Sequence, residues 1–337
     1  MKRIISIFVI IVLLLTMVVG CSQPTSDEEP ANAGEVNGEE SKPYFTNSLN
    51  AICPWSAGGG TDTILRGLSA EAEKSIGQTI TVTNQTGGGG AVGHSAIMNA
   101  KPDGYTVGMI TFELNSLPAQ GLVPFTYEDF TPLMRVNMDA AALTVPKDAP
   151  YDTVEEFVAY AKENPGTINI GNSGVGAVWH IAAGLMAEAT EIEVQYVPFD
   201  GAAPAITSLV GGHIQAVSVS AAEVQGQVEA GDLKILGVMS GERLEAFPEV
   251  PTFIESGYDV VFGTWRGLAV PVGTPQEAID ELGKAFKTAL ESKEFVDFAA
   301  NSGLVLAYQD ADEFKEFLKV NAKDVSAVME SLGLAAK

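Results

Sequence analysis

Three times in this chain a short apolar or β-branched stretch runs into a glycine-rich loop that opens a helical pattern. Leu49–Cys53 leads into residues 55–61, Thr79–Asn84 into 85–93, and Thr167–Gly171 into 171–177. Strand, loop and helix in that order constrain the fold strongly, because a parallel neighbour is reached only by a crossover, usually helical. After Thr61, a residue suited to N-capping, Ile64, Leu65, Leu68, Ala72 and Ile76 recur at helical spacing until Gly77. A helix is predicted over Ala91–Asn99 and a strand over Tyr105–Thr111, completing βαβαβ. A second series starts after Pro146, with helices over Thr153–Glu163, to about Ala189, over Ala202–Val210 and over Ala222–Ala230. Strands over Thr167–Gly171, Glu193–Val197, Ala216–Ser220 and Ile235–Met239 alternate with them. Leu268–Val270 reads as a return strand, and helices near 275–291 and 311–331 close the chain. The expectation is an α/β protein of two similar lobes, each a mainly parallel sheet flanked by helices. Residues 44–141 with 268–337 form lobe 1 and 142–267 lobe 2, with crossings near 142–145 and 262–270.

Ahead of this body, Lys2 and Arg3 precede the apolar run Ile4–Val19, which is short for a spanning helix of about 20 residues and fits a signal segment. Small residues before Cys21 form a bacterial lipobox, so residues 1–20 are expected to be removed and Cys21 acylated. Residues 21–43 carry many acidic side chains and little that packs, the composition of a flexible tether. The pattern places the chain outside the cytoplasm, attached to a membrane. With Cys21 lipidated, Cys53 has no partner within the chain and reads as a buried, inert thiol.

The chain has 337 residues, room for about two domains. Its 43 Asp and Glu against 19 Lys and Arg give a net charge of −24, and loss of Lys2 and Arg3 makes it −26. Nucleic acid is thereby disfavoured as a partner, since its phosphates call for a basic surface. Three His and two Cys leave no basis for a zinc site, and neither metal nor cofactor is expected. Gly88–Gly93 matches G-x-G-x-x-G, but no clear acidic residue ends the next strand to hold a ribose. No nucleophile elbow, Walker A or H-E-x-x-H motif occurs, so no catalytic step is expected.

What the loops can do is hold an anion. A loop that opens a helix presents unpaired N–H groups and the positive end of the helix dipole. Each loop alone also reads as a tight turn that needs glycine; three of them, split between two lobes, favour a shared cleft. His180, four residues past Gly176, reads as a tie between helix and loop, as a ligand contact, or as a base with no nucleophile placed beside it. Trp55 and Trp265 read as core or as cleft wall.

At these motifs the chain resembles the Bug family, the extracytoplasmic solute receptors of tripartite tricarboxylate transporters. Pro54–Asp62 is similar to the family's P-F-x-x-G-G-x-x-D, Asn84–Gly90 to N-R-P-G-A-G-G, and Pro102–Thr106 matches P-D-G-Y-T. Asn172–Gly176 with His180 resembles S-x-G-x-G-x-x-x-H, and Val197–Gly201 resembles V-P-Y-K-G. Pro251–Gly257, Trp265 and Gly273–Pro275 follow in family order, so the likeness covers about residues 45–337. The resemblance implies a two-lobed, periplasmic-binding-protein-like clamp that closes on a small carboxylate and presents itself to membrane permease subunits. It places the ligand at Trp55, Ser56, Ala57, Gly58 and Gly59 in one lobe and at Asn172, Ser173, Gly174 and Gly176 in the other. Thr111 and the turn Phe199, Asp200, Gly201 are implied neighbours. Two positions depart from the family: Gln85 stands where Arg is frequent, and Asp200 where Lys or Arg is frequent. A sensor or adhesin of the same fold, or an exported enzyme, are the competing readings.

Charge adds one expectation. No Lys or Arg occurs between Lys162 and Lys234, while Asp62, Glu113, Asp200 and Glu223 fall at strand–helix junctions. These carboxylates either face solvent and cap helices or line the cleft. If two or more line it, a citrate-like trianion is a poor ligand, and a monocarboxylate, a zwitterion or a neutral derivative fits better.

Overall fold

The first series folds as β1 (Leu49–Cys53), α1 (Gly60–Ile76), β2 (Ile80–Asn84), α2 (Ala91–Met98) and β3 (Thr106–Thr111), with β1 parallel to β2 and β3. This computed structural model describes residues 43–336; Cys21, the signal segment and the tether lie outside the described residues. The apolar stripe of α1 is buried as its spacing predicts, and Gly77 ends the helix at φ 71°, a left-handed turn that glycine adopts without strain. Thr61 is not the cap: Gly59 holds that position, and Thr61 lies buried in the first turn. A further helix, α3 (Glu113–Ala119), follows β3 directly.

Then comes β4 (Phe130–Pro146), a strand of 17 residues that joins the two halves of the molecule. The second series follows as α4 (Val154–Glu163), β5 (Asn169–Asn172), α5 (Val178–Thr190), β6 (Gln195–Pro198), α6 (Ala202–Val210), β7 (Ala216–Ser220), α7 (Ala221–Glu229) and β8 (Leu233–Val238). The chain returns through β9 (Gly263–Pro271) and ends with α8 (Gln276–Leu290), α9 (Lys293–Asn301), β10 (Leu306–Gln309) and α10 (Ala311–Ser331).

Sheet order runs β2-β1-β3-β9-β4-β7-β5-β6, with β10 and β8 also paired to β4. The triplet β2-β1-β3 of the first lobe thus has its counterpart in β6-β5-β7 of the second, parallel within each triplet. The strands that connect the lobes are antiparallel, so the sheet as a whole is mixed. β4 pairs with β9 up to Ala140↔Gly263, and from Ala141 onward it pairs with β7 and β8. The change of sheet therefore falls at Ala140/Ala141, and β9 pairs in the first sheet from Gly263.

Helices cover both faces. Leu65 and Leu68 of α1 and Leu282 and Phe286 of α8 are fully buried in one core, and Ile181 and Met186 of α5 in another. Each such side chain contributes about 1.5–3 kcal/mol of hydrophobic stabilisation. The parallel triplets are thereby fixed with their carboxyl ends, and the loops that leave them, facing the other lobe.

Candidate functional site

The loops that follow β1 and β5 meet across the junction of the lobes around a buried polar cavity of about 20 Å³, room for roughly one water molecule. Lobe 1 supplies Trp55, Ser56, Gly59, Thr111 and Glu113; lobe 2 supplies Ser173, Trp179, Ala202 and Glu223; β9 adds Thr264 and Arg266.

Two glutamates cross between the lobes in matching fashion. Glu113, at the start of α3 just past β3, accepts the Thr111 hydroxyl at 2.5 Å on Oε2 and the backbone N–H of Val178, first residue of α5, at 2.9 Å on Oε1. Glu223, at the start of α7 just past β7, accepts the Ser220 N–H and hydroxyl at 3.1 Å on Oε2 and the N–H of Gly60, first residue of α1, at 3.2 Å on Oε1. Each lobe therefore seats a carboxylate on the helix N-terminus of the other, where unpaired amides and the helix dipole favour negative charge. Close approach demands the glycine: a Cβ at Gly60 would lie 2.9 Å from both Glu223 Oε1 and Arg266 Nη2.

Arg266 anchors this junction and is 2% exposed. Its Nη1 donates to Asp139 at 2.6 Å, its Nε to the Thr61 hydroxyl at 3.0 Å, and its Nη2 reaches Glu223 at 3.5 Å. Asp139 also accepts from Asn137 Nδ2 and from the Val305 N–H. On the other wall, Trp55 Nε1 donates to Thr111 Oγ1, and His94 Nδ1 meets the Gly90 carbonyl at 2.8 Å while Nε2 accepts the Thr111 N–H at 3.2 Å. Both His94 nitrogens are thus used by a neutral ring, and burial pulls its pKa down to about 4. Burial pushes Glu113 up from the usual carboxylate range, with the donors Thr111 and Val178 opposing.

The sequence-predicted residues divide. Trp55, Ser56, Gly59, Thr111, Glu113, Ser173 and Glu223 come together at the cavity. Ser56 Oγ and Ser173 Oγ are buried there without a hydrogen-bond partner. Ala57 and Gly58 are exposed. Phe199, Asp200 and Gly174 line a separate open groove of about 650 Å³ with Gly88 and Gly89, and Asp200 is exposed. Gly201 packs on Ser56, whose Oγ lies 2.7 Å from where a Gly201 Cβ would be. Gln85 is half-buried and lines neither space.

Most loop amides expected to meet a ligand are taken internally. Gly58 N–H donates to Asp62, Gly59 N–H to the Ser56 carbonyl, Gly174 N–H to Asn172 Oδ1 and Gly176 N–H to His180 Nδ1. Asp62 is a structural carboxylate: burial raises its pKa, but Arg66, the Gly58 amide and Asn84 outweigh that and hold it below the ordinary value. His180 is the tie between helix and loop, its ring edge against Tyr196, and it does not line the cavity. Trp265 packs against Phe314 and Phe317 and donates to Asn321, so it is core rather than cleft wall.

Sequence reasoning missed Arg266, Asp139, Thr61 and Trp179. A lone Arg inside the strand run Gly263–Pro271 was the available signal, since a charge in a buried strand needs a partner.

Comparison with known proteins follows the same lines. Residues 64–334 match the family model described as Tripartite tricarboxylate transporter family receptor, TctC. BugT of Bordetella pertussis is 28% identical over 315 residues, covering 91% of this chain and 96% of BugT. A ligand-free TctC solute-binding protein from Polaromonas is 39% identical, covers 86% of this chain and 99% of that one, and superposes with a TM-score of 0.63. The periplasmic binding protein BugD is 26% identical, with 87% and 100% covered and a TM-score of 0.82.

Proposed function

The chain belongs to the tripartite tricarboxylate transporter receptor family, and on that premise we propose that it is an extracytoplasmic solute receptor. It captures a small carboxylate-type ligand between its lobes and delivers it to the permease subunits of a tripartite transporter. The observation that carries this reading is the buried polar cavity at the lobe junction. It gathers strand-end loops from both lobes, contains Arg266, and leaves the Ser56 and Ser173 hydroxyls unpartnered. Such groups are costly to bury unless something bonds to them.

Capture proceeds by lobe closure about the two crossing strands, at Ala140/Ala141 and Phe262/Gly263. The superpositions support a variable lobe angle: the Polaromonas protein is the more similar in sequence yet fits less well than BugD. Two rigid lobes at a different angle produce that combination. Cys21 carries the lipid anchor in this reading.

Native mass spectrometry of protein purified from its host, followed by calorimetry with the ligand found, is the decisive experiment. A retained small carboxylate that rebinds without being consumed is the expected result; turnover of that compound overturns the receptor reading. For the anchor, Cys21→Ser is expected to leave unprocessed precursor or soluble protein. Continued cleavage before residue 21 with membrane attachment overturns it.

A further inference from the structure

We propose that the ligand carries an amino group as well as a carboxylate, and that Glu113 receives that amino group. This rests on the receptor reading above and narrows the ligand class at the same site.

Glu113 is 1% exposed, and among the described residues no Lys, Arg or His lies within ion-pair distance of it. A buried carboxylate without a cation is unusual, because burial penalises the charge unless a partner compensates it. Its own bonds leave capacity. Its donors are Val178 N–H, the Thr111 hydroxyl and its own backbone N–H, and a carboxylate offers about four such positions, so one is left. Glu223 has no such capacity, since two donors already reach each of its oxygens.

The remainder of the cavity disfavours a second ligand carboxylate. Its single cation, Arg266, is held by Asp139 and Glu223. The first amide of α1, at Gly60, and that of α5, at Val178, already hold Glu223 and Glu113. Two hydroxyls stand as donors for a carboxylate: Ser173 Oγ, in a residue only 3% exposed, and Ser56 Oγ, both without partners. The Ser173 hydroxyl is an observation independent of the acidic cluster, and it too calls for a ligand. Once the lobes part to widen the cavity beyond the roughly one water it admits here, a small zwitterion satisfies both ends, with its carboxylate on the serines and its ammonium on Glu113. A dicarboxylate places a second negative charge in a desolvated space beside Glu113 and Glu223, where repulsion is weakly screened.

Calorimetry with the purified protein on matched pairs tests this: alanine and propionate, aspartate and succinate, glutamate and glutarate. In the best-binding pair the amino member is expected to bind about tenfold tighter or more. Glu113→Gln, of the same shape, is expected to reduce that advantage, taken as the ratio within the pair, to about threefold or less. The proposal is overturned if the deamino member binds as tightly in the wild type, or if the advantage survives in Glu113→Gln. Should the variant not fold, the wild-type comparison decides alone. Tight binding of succinate or glutarate removes the proposal and leaves the receptor reading standing. Binding of none of the pairs removes the proposal and counts against the carboxylate-receptor reading as well.

Discussion

Arg266 offers the sharpest test of how the junction is held. It is a buried cation between two buried acids, Asp139 at 2.6 Å and Glu223 at 3.5 Å, with side chains 3–5% exposed. Removing one member of such a set strands a charge, which costs about 3–5 kcal/mol, whereas removing an ion pair together is often nearly neutral. Arg266→Met is therefore expected to lose about 3–5 kcal/mol, because Asp139 keeps only Asn137 and the Val305 amide as donors. Adding Asp139→Asn should recover about 2 kcal/mol of that loss, a coupling well above the ~0.5 kcal/mol within which independent sites add. Urea unfolding of the four proteins closes the cycle. At a slope of about 3 kcal/mol/M, the single variant shifts the midpoint by roughly 1–1.7 M. Additive single effects, or a loss under about 1 kcal/mol for Arg266→Met, would refute the reasoning.

Other expectations can be checked alongside. His94 has its pKa lowered from 6.5 to about 4, so it favours the unprotonated fold. Its contribution is complete above pH 6.5 and is lost as pH falls towards 4, about 3 kcal/mol in all; urea midpoints of wild type and His94→Gln should converge over that window, and parallel curves would contradict this. Cys53, buried and pushed up to about 12, should resist thiol reagents in the native protein and react on unfolding; stoichiometric labelling of folded protein would exclude it. Glu223→Ala removes the Gly60 and Ser220 contacts and weakens the hold between lobes. Its radius of gyration by small-angle scattering should rise and Trp55 emission should change, and identical curves would show that the contact does not hold the lobes together.

Where one face of an element is buried, the sequence was legible. The stripe of α1, the alternation of strand and helix, and α6 and β7 to the residue followed from periodicity alone. β4 did not, for a physical reason. Both its faces are covered, so nearly every position from Phe130 to Val145 is buried and no period of two survives. Polar Asn137 and Asp139 further disguise it, although they bond to each other inside the fold through Asn137 Nδ2 and Asp139 Oδ2. α3 was hidden by Pro118 and by Asn115 and Ser116, side chains that look like loop and are fixed by partners distant in sequence.

The same distinction governs the site. That glycine loops would converge was readable, because their position at strand ends is a local property. That their amides would be occupied was readable only in part. Asp62, Asn172 and His180 each bond an amide two to four residues away, a spacing visible in the chain. The bonds of Glu113 to Val178 and of Glu223 to Gly60 span 65 and 163 residues, and nothing local announces them. Yet they follow one rule applied twice. In each lobe a hydroxyl at the end of the third parallel strand steers a glutamate, and its free oxygen takes the first amide of the opposite helix. The internal likeness of the two lobes, read as a matter of fold, is thus also a likeness of chemistry. It differs between lobes in one respect: Arg266 pairs with Glu223, and among the described residues no cationic side chain pairs with Glu113. The asymmetry gives the junction a direction, with an ion-paired end at α1 and an end at α5 where Glu113 is held by neutral donors.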